Sequence, residues 1–311
     1  MPLYLVRRFF GLIPTFLGIT VVCFGVMHLA PGKPSDLITD LNVKISLQAK
    51  EQLTRMYGLD RPLHEQYLRW LNRVLRGAFG RSFRDGRLVT RKILERIPIT
   101  LTINGLSLLL ILAITIPLGV ATAAREGSRF DRGVTLFVFI GYALPTFWLA
   151  LLALDFFGVR LGWLPVSGLH SLGADHLPFP ARLLDLGKHL ILPIGVAVFG
   201  ELAGLSRYVR AQMLETLQQD YIRTARAKGL SERAVLYRHA LRNALLPVIT
   251  LLGLSIPGLL GGSVIFESIF AIPGMGRLFF DSVMARDYPV IMGMLVLGAG
   301  LTLLGNLLAD L

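Results

Sequence analysis

The chain has 311 residues, 53% of them hydrophobic and only 17% charged, with a formal net charge of +12 and a mean hydropathy of +0.61. A soluble domain carries roughly a quarter charged residues, whereas here the apolar residues collect in runs of roughly twenty, the length that crosses a hydrocarbon core. An ordinary soluble enzyme is excluded, and without short alternating segments so is a membrane β-barrel. The expectation is an all-α polytopic membrane protein with about six transmembrane helices. Its basic charge is that of cytoplasmic loops retaining Lys and Arg, not that of a nucleic-acid binder.

Arg7 and Arg8 precede an apolar run, Phe9–Ala30. It is too long for a signal-peptide core and no Ala-x-Ala site follows, so it reads as a retained first span with a cytoplasmic N-terminus. The single cysteine, Cys23, lies within it, which rules out an intramolecular disulfide and a thiolate metal cluster. Residues 31–97 form an outer segment with amphipathic helices. Ser46 caps a helix to Tyr57, with Gly58 as its stop. Pro62 opens a second helix ending near Gly77, with Leu63, Tyr67, Leu71, Val74 and Leu75 on one face. Such a helix lies on the membrane surface or packs on the bundle. The outer segment is itself basic, against the positive-inside pattern, but it exceeds the loop length over which that rule holds. Gly77–Gly86 is a glycine-punctuated loop. It is a surface loop or one folded back over a pore mouth, where irregular backbone must line a cavity or be buried in protein.

Further spans are expected at Ile99–Ala123, Gly133–Phe157, Leu190–Leu205, Leu245–Phe270 and Val290–Leu308. The fourth is short and contains Glu201, and it extends at most from His189 to Val209. Six spans put two loops in the cytoplasm. One carries Arg125, Arg129 and Arg132; the other carries Arg207, Arg210, Arg223, Arg226, Lys228, Arg233, Arg238 and Arg242. The short outer loop has only Arg277 and Arg286, offset by Asp281 and Asp287. Pro14, Pro117, Pro145, Pro193, Pro247 and Pro257 are expected to kink the spans.

Signatures of chemistry are missing. There is no phosphate-binding Gly-x-x-x-x-Gly-Lys-Ser/Thr, no His-Glu-x-x-His and no Gly-x-Ser-x-Gly. The six histidines lack metal-ligand spacing; His170 and His176 share a loop without a third ligand. No catalytic residue, metal or directly bound cofactor is assigned. Three acids fall in or at the ends of spans, where charge is costly and functional by default. Asp155 and Glu267 sit near outer ends, as ion pairs or interface residues. Glu201 lies mid-span in Phe199-Gly-Glu-Leu-Ala-Gly204, where it lines a substrate path or pairs with Arg207.

The segment 211–247 stands apart: a polar connection of about forty residues between spans is unusual and commonly functional. Leu214, Leu217 and Tyr221 extend an apolar stripe from the fourth span. Gly229 suits a helix C′ position and Ser231 an N-cap, with Glu232 in the first turn. A second helix carries Val235, Leu236, His239 and Leu241 to Pro247. The result is two helices with a knob at Thr224–Leu230, a docking surface. An interfacial helix on anionic lipid would explain the arginines but not the glycine break, and a DNA reader held against the bilayer is implausible.

Tyr221-Ile-Arg-Thr-Ala-Arg-Ala-Lys-Gly-Leu230, followed by Arg238-His-Ala-Leu-Arg-Asn-Ala-Leu-Leu-Pro247, resembles the EAA loop of ABC-type importer permeases in their dipeptide/oligopeptide/nickel branch. Arg223, Thr224 and Ala225 occupy the Glu-Ala-Ala positions, and Gly229 is the loop glycine. The arginine and the longer glycine-to-proline distance depart from the general pattern and are normal for the peptide branch. Further motifs resemble the DppB/OppB-like subunit: Tyr4-Leu-Val-Arg-Arg8, Ile13-Pro-Thr15, His28-Leu-Ala-Pro-Gly32, Tyr57-Gly-Leu-Asp-Arg-Pro62, Gly80-Arg-Ser82, Leu164-Pro-Val-Ser-Gly168, Pro273-Gly-Met-Gly-Arg277 and Arg286-Asp-Tyr-Pro289.

The resemblance implies a single permease domain over residues 1–311, a type I importer bundle forming half of a path for di- or oligopeptides. Arg223, Thr224, Ala225, Arg226, Ala227, Lys228, Gly229 and Leu230 would form its ATPase-docking coupling helix. Implied partners are a homologous C-type permease, two cytoplasmic ATPases holding ATP and Mg, an extracytoplasmic binding protein and membrane lipid. The implied place is the bacterial or archaeal cytoplasmic membrane. Nickel chelates, glutathione and oligosaccharides are alternative cargoes; a stand-alone channel or membrane enzyme is the alternative of another class. Related subunits continue past Leu311 into a short basic tail, which implies that this sequence stops short.

Overall fold

The computed structural model describes residues 2–29, 61–255 and 258–309. In chain order the helices are α1 (Pro2–Leu29), α2 (Leu63–Leu75), α3 (Val89–Ala123), α4 (Arg129–Ala143) and α5 (Thr146–Ala153), which continues as a π-helix over Leu154–Arg160. Then come α6 (Phe179–Leu217), α7 (Asp220–Ala227), α8 (Glu232–Ala244), α9 (Leu246–Ser255), α10 (Gly258–Gly261), α11 (Val264–Ile269), α12 (Met275–Met284) and α13 (Tyr288–Ala309). Among the described residues the only β pairing is the isolated bridge Arg81–Leu88. The expected helix Ser46–Tyr57, its Gly58 stop, Pro257, the motif stretches 30–32 and 57–60, and the chain end at Leu311 lie outside the described residues.

Helix is the form that lets an apolar segment satisfy its own backbone in lipid. Among the described residues, α3, α6 and the Tyr288–Leu307 part of α13 can each cross a membrane by length and composition, and the number rises to five if each of two bent pairs is one span. The expected span Leu190–Leu205 is too short: it is the middle of α6, 39 residues long, because the flanking polar turns continue the same helix. The expected third span is broken, with its two halves bent by 96°. Leu144 is extended at φ −88° and ψ 129°, since a following proline disfavours helical backbone. Pro145 therefore ends a helix, while Pro14 and Pro193 stay inside theirs. The expected fifth span is divided into α9, α10 and α11, with Gly262 at φ 67° between the last two. The first expected span corresponds to α1, which is 28 residues long.

Two compact units divide the chain. The first contains Met1–Ile99, Leu260–Val264 and Gly274–Leu311; the second contains Thr100–Leu259 and Ile265–Pro273. In the first, α1 packs along α13, and α2 packs on α1. Val89, Ile93, Met275, Leu278, Val290 and Met294 form its core. A Cβ on Gly276 would stand 2.7 Å from the backbone of Ser263 and Val264, which gives the Pro273–Arg277 motif a steric reason for its second glycine. The face expected on α2 is partly wrong. Val74 is buried, but Leu63 and Leu75 are exposed, and Trp70 joins Tyr67 against Phe24 instead.

In the second unit α4 and α5 both pack on α6. Gly141 lies under the Phe199 ring, where a Cβ would come within 2.7 Å. Gly119 on α3 meets Val209 on α6, where a Cβ would stand 2.6 Å from Val209 Cγ1. Around that contact Val120, Val209, Met213, Ile222, Ala225, Val235, Ala240, Ala244 and Val248 form one core.

Candidate functional site

The segment after α6 folds as expected in its turn and differently in its first helix. Leu214 and Leu217 pack on the core, but Gln218 and Gln219 break the helix and leave Tyr221 exposed, accepting a hydrogen bond from Asn243 Nδ2 at 2.8 Å. Ile222 and Ala225 instead form the buried face of α7. The helix ends in a Schellman motif: Leu230 N–H donates to Ala225 O at 3.3 Å and Gly229 N–H to Arg226 O at 2.9 Å. Gly229 has φ 77° with open space around it, so its requirement is conformational, not steric. Ser231 then caps the next helix, accepting from the Ala234 amide at 3.4 Å. Arg226 Nε bridges the turn to Glu232 Oε1 at 2.8 Å. Arg223, Thr224, Arg226, Ala227, Lys228, Gly229 and Leu230 are all exposed, while Ala225 is buried beneath them. Beyond Ser231 a π-helical stretch, Val235–Ala240, turns Val235 and Ala240 fully inward.

Below this knob α6 is tied to the first turn of α4. Arg210 donates twice to the buried Asp131, Nε to Oδ1 and Nη2 to Oδ2, each at 2.8 Å. Ser128 accepts from the Asp131 amide, and Gly127 donates to Asp131 Oδ2 at 3.0 Å. Arg210, expected only as one of many orientation charges, is thus half of a clamp. The signal was present: Ser128-Arg-Phe-Asp131 has capping-box spacing.

The first unit holds a second polar cluster, brought together from two motifs far apart in sequence. Ser82 Oγ donates to Asp287 Oδ2, and the Phe83 amide donates to Asp287 Oδ1 at 2.9 Å. Lys92 Nζ donates to Ser82 Oγ at 3.1 Å and Asp85 Oδ2 at 2.8 Å, and lies 3.9 Å from Asp287. Asp287 is 1% exposed. Burial raises the Asp85 carboxyl, but hydrogen bonds from Lys92, Ser82 and the Arg87 amide outweigh it and bring it to about 2. The Gly77–Gly86 loop is therefore not simply a surface loop; it is anchored to the α12–α13 turn.

The three membrane acids separate. Asp155 pairs with Arg160 at 2.7 Å, as expected. Glu267 is buried near Thr100 Oγ1 at 3.4 Å, not set at an exposed interface. Glu201 is exposed on α6, as is Arg207, and no ion pair joins them among the described residues. His170 and His189 converge on Asp185, but among the described residues no three side chains form a metal site.

Residues 115–311 match the family described as "Binding-protein-dependent transport system inner membrane component", and residues 1–104 match its N-terminal counterpart. The chain belongs to this permease family. Its match to the Bacillus subtilis oligopeptide transport system permease protein AppB is 47% identical, covering 100% of this chain and 96% of that protein. The Pseudomonas aeruginosa di/tripeptide transport system permease protein DppB is 38% identical, over 99% of this chain and 95% of its own length. As a member of this permease family the chain is a multi-pass membrane transport component, and its helices are those of a permease.

Proposed function

We propose that the chain is the B-type permease subunit of an ATP-driven importer of di- and oligopeptides, with its N-terminus in the cytoplasm. The cargo follows from what its two relatives are named for. Residues 211–247 act as the coupling segment, and Arg223–Leu230 dock into a groove on an ATPase subunit that carries ATP and Mg. A homologous C-type permease completes the path, and an extracytoplasmic binding protein delivers cargo. The observation that carries this reading is the two-sided build of α7. Its under-face, Ile222 and Ala225, is sealed into the same core as Val209 and Met213 of α6, while its upper face and the Gly229 turn are exposed. A knob fixed below and free above transmits force, and rigid-body rocking of spans is a recognised mode of alternating access.

Glu201 supports a path on α6. Between Leu192 and Leu217 no large apolar side chain of α6 is exposed, although Leu183, Leu184 and Ile191 are exposed before it. An exposed carboxylate at mid-helix belongs against water or protein, not lipid.

The test is reconstitution of the complete transporter in vesicles. Gly229→Val, which resists positive φ, leaves the complex assembled but separates ATP hydrolysis from peptide uptake; Gly229→Asn, which tolerates positive φ, keeps them coupled. Normal coupling in Gly229→Val would overturn the assignment.

A further inference from the structure

Helix α2 has three faces, and among the described residues only one is occupied. Tyr67, Trp70 and Val74, spaced i, i+3 and i+7, form the packed face. Tyr67 Oη shares a 2.9 Å hydrogen bond with Thr20 Oγ1, and the Tyr67 and Trp70 rings lie 5.4 and 5.9 Å from the Phe24 ring. Leu68 and Leu75, seven residues apart and so on a second face, are 60% and 68% exposed. Arg69, Arg73 and Arg76, at i, i+4 and i+7, hold the third. All three are exposed, and among the described residues no carboxylate lies within ion-pair distance of them. Glu65, the one acid in the helix, is already paired with Arg61 at 3.2 Å.

The docking point sets the level of this helix. Thr20 and Phe24 stand in the last three turns of α1 (Pro2–Leu29), in the second half of its apolar run. Tyr and Trp thus fasten the helix in the half of the span that leads to the hydrocarbon edge where amphipathic aromatic rings collect. Its free leucines then meet acyl chains and its free arginines meet headgroups. Guanidinium is the cation suited to bidentate phosphate contacts, and headgroups of net negative charge are preferred over zwitterionic ones.

We propose that α2 is an anionic-phospholipid binding element, with Leu68 and Leu75 embedded and Arg69, Arg73 and Arg76 holding lipid phosphates. This holds whichever way the chain crosses the membrane. It also gives a purpose to basic residues that the positive-inside rule leaves unexplained.

The test uses the complete transporter in nanodiscs. Cys23 is replaced by Ser, and Asn72, exposed between the leucine and arginine faces, is replaced by Cys and labelled with a fluorophore. Quenching is compared for brominated phosphatidylglycerol and brominated phosphatidylcholine at matched mole fraction. The expected result is stronger quenching by phosphatidylglycerol, a preference that weakens with salt and falls by roughly an order of magnitude in Arg69→Gln/Arg73→Gln/Arg76→Gln. Equal quenching by the two lipids, no quenching by either, or an unchanged preference in the triple variant would overturn the proposal. Assembly of the labelled complex, followed by size-exclusion chromatography, confirms that each variant folds.

Discussion

Two helix ends in this protein close with the same hydrogen bonds and are stabilised in opposite ways. α7 closes at Gly229. α12 closes at Arg286, where Asp287 N–H donates to Ser282 O at 2.8 Å and Arg286 N–H to Val283 O at 3.0 Å. At the first, glycine supplies the positive φ, the ions are exposed, and the hold comes from apolar burial beneath. At the second, an arginine is forced to φ 50°, and the next residue is a buried carboxylate gripped by a distant loop. The difference shows what each turn is free to do. A turn held from below has an upper face that can change without unfolding, as a docking surface requires. A turn held by buried polar contacts cannot change without leaving those partners unsatisfied.

Breaking the buried turn should cost most. Asp287→Asn weakens the acceptor for Ser82 and Phe83 and leaves Lys92 without its buried counter-charge. A loss of about 3 kcal/mol is expected, read as a lower unfolding temperature in detergent and faster proteolysis between Gly80 and Gly86. The exposed turn should lose about 1–2 kcal/mol in Gly229→Val, from strain alone because there is room for the side chain, and markedly less in Gly229→Asn; thermal unfolding of the pair checks this. Arg286→Gly should stabilise by about 1 kcal/mol, since it relieves left-handed strain at an exposed side chain. A loss instead would mean that the arginine makes a contact worth more than its strain. Smallest of all, Glu232→Gln should stay within about 1 kcal/mol and become indistinguishable from wild type in high salt, because its bridge to Arg226 is exposed.

Local signals were legible in the sequence and distant pairings were not. Gly229 and Ser231 announce a break through backbone chemistry that depends on neighbours alone, and Pro62 and Gly77 bound α2 for the same reason. Asp131 with Arg210, and Ser82 with Asp287, are separated by 79 and 205 residues; no periodicity links them, although Ser82 and Asp287 each stood in a stretch already marked by a motif. Hydropathy placed the apolar runs but misjudged their continuity. It shortened α6 at its polar flanks and joined α4 to α5 across Pro145, because composition does not register whether a backbone bends.

That elbow at Leu144–Pro145 also says where lipid does not reach. The end of α4 leaves carbonyls, and the start of α5 leaves amides, without partners in their own helices. Hydrocarbon offers no hydrogen bonds to such groups. Whether α4 and α5 make one broken span or a re-entrant loop, the bend marks a depth that protein or water must cover. A proline in a run of apolar residues thereby fixes a boundary of solvation as well as a change of direction.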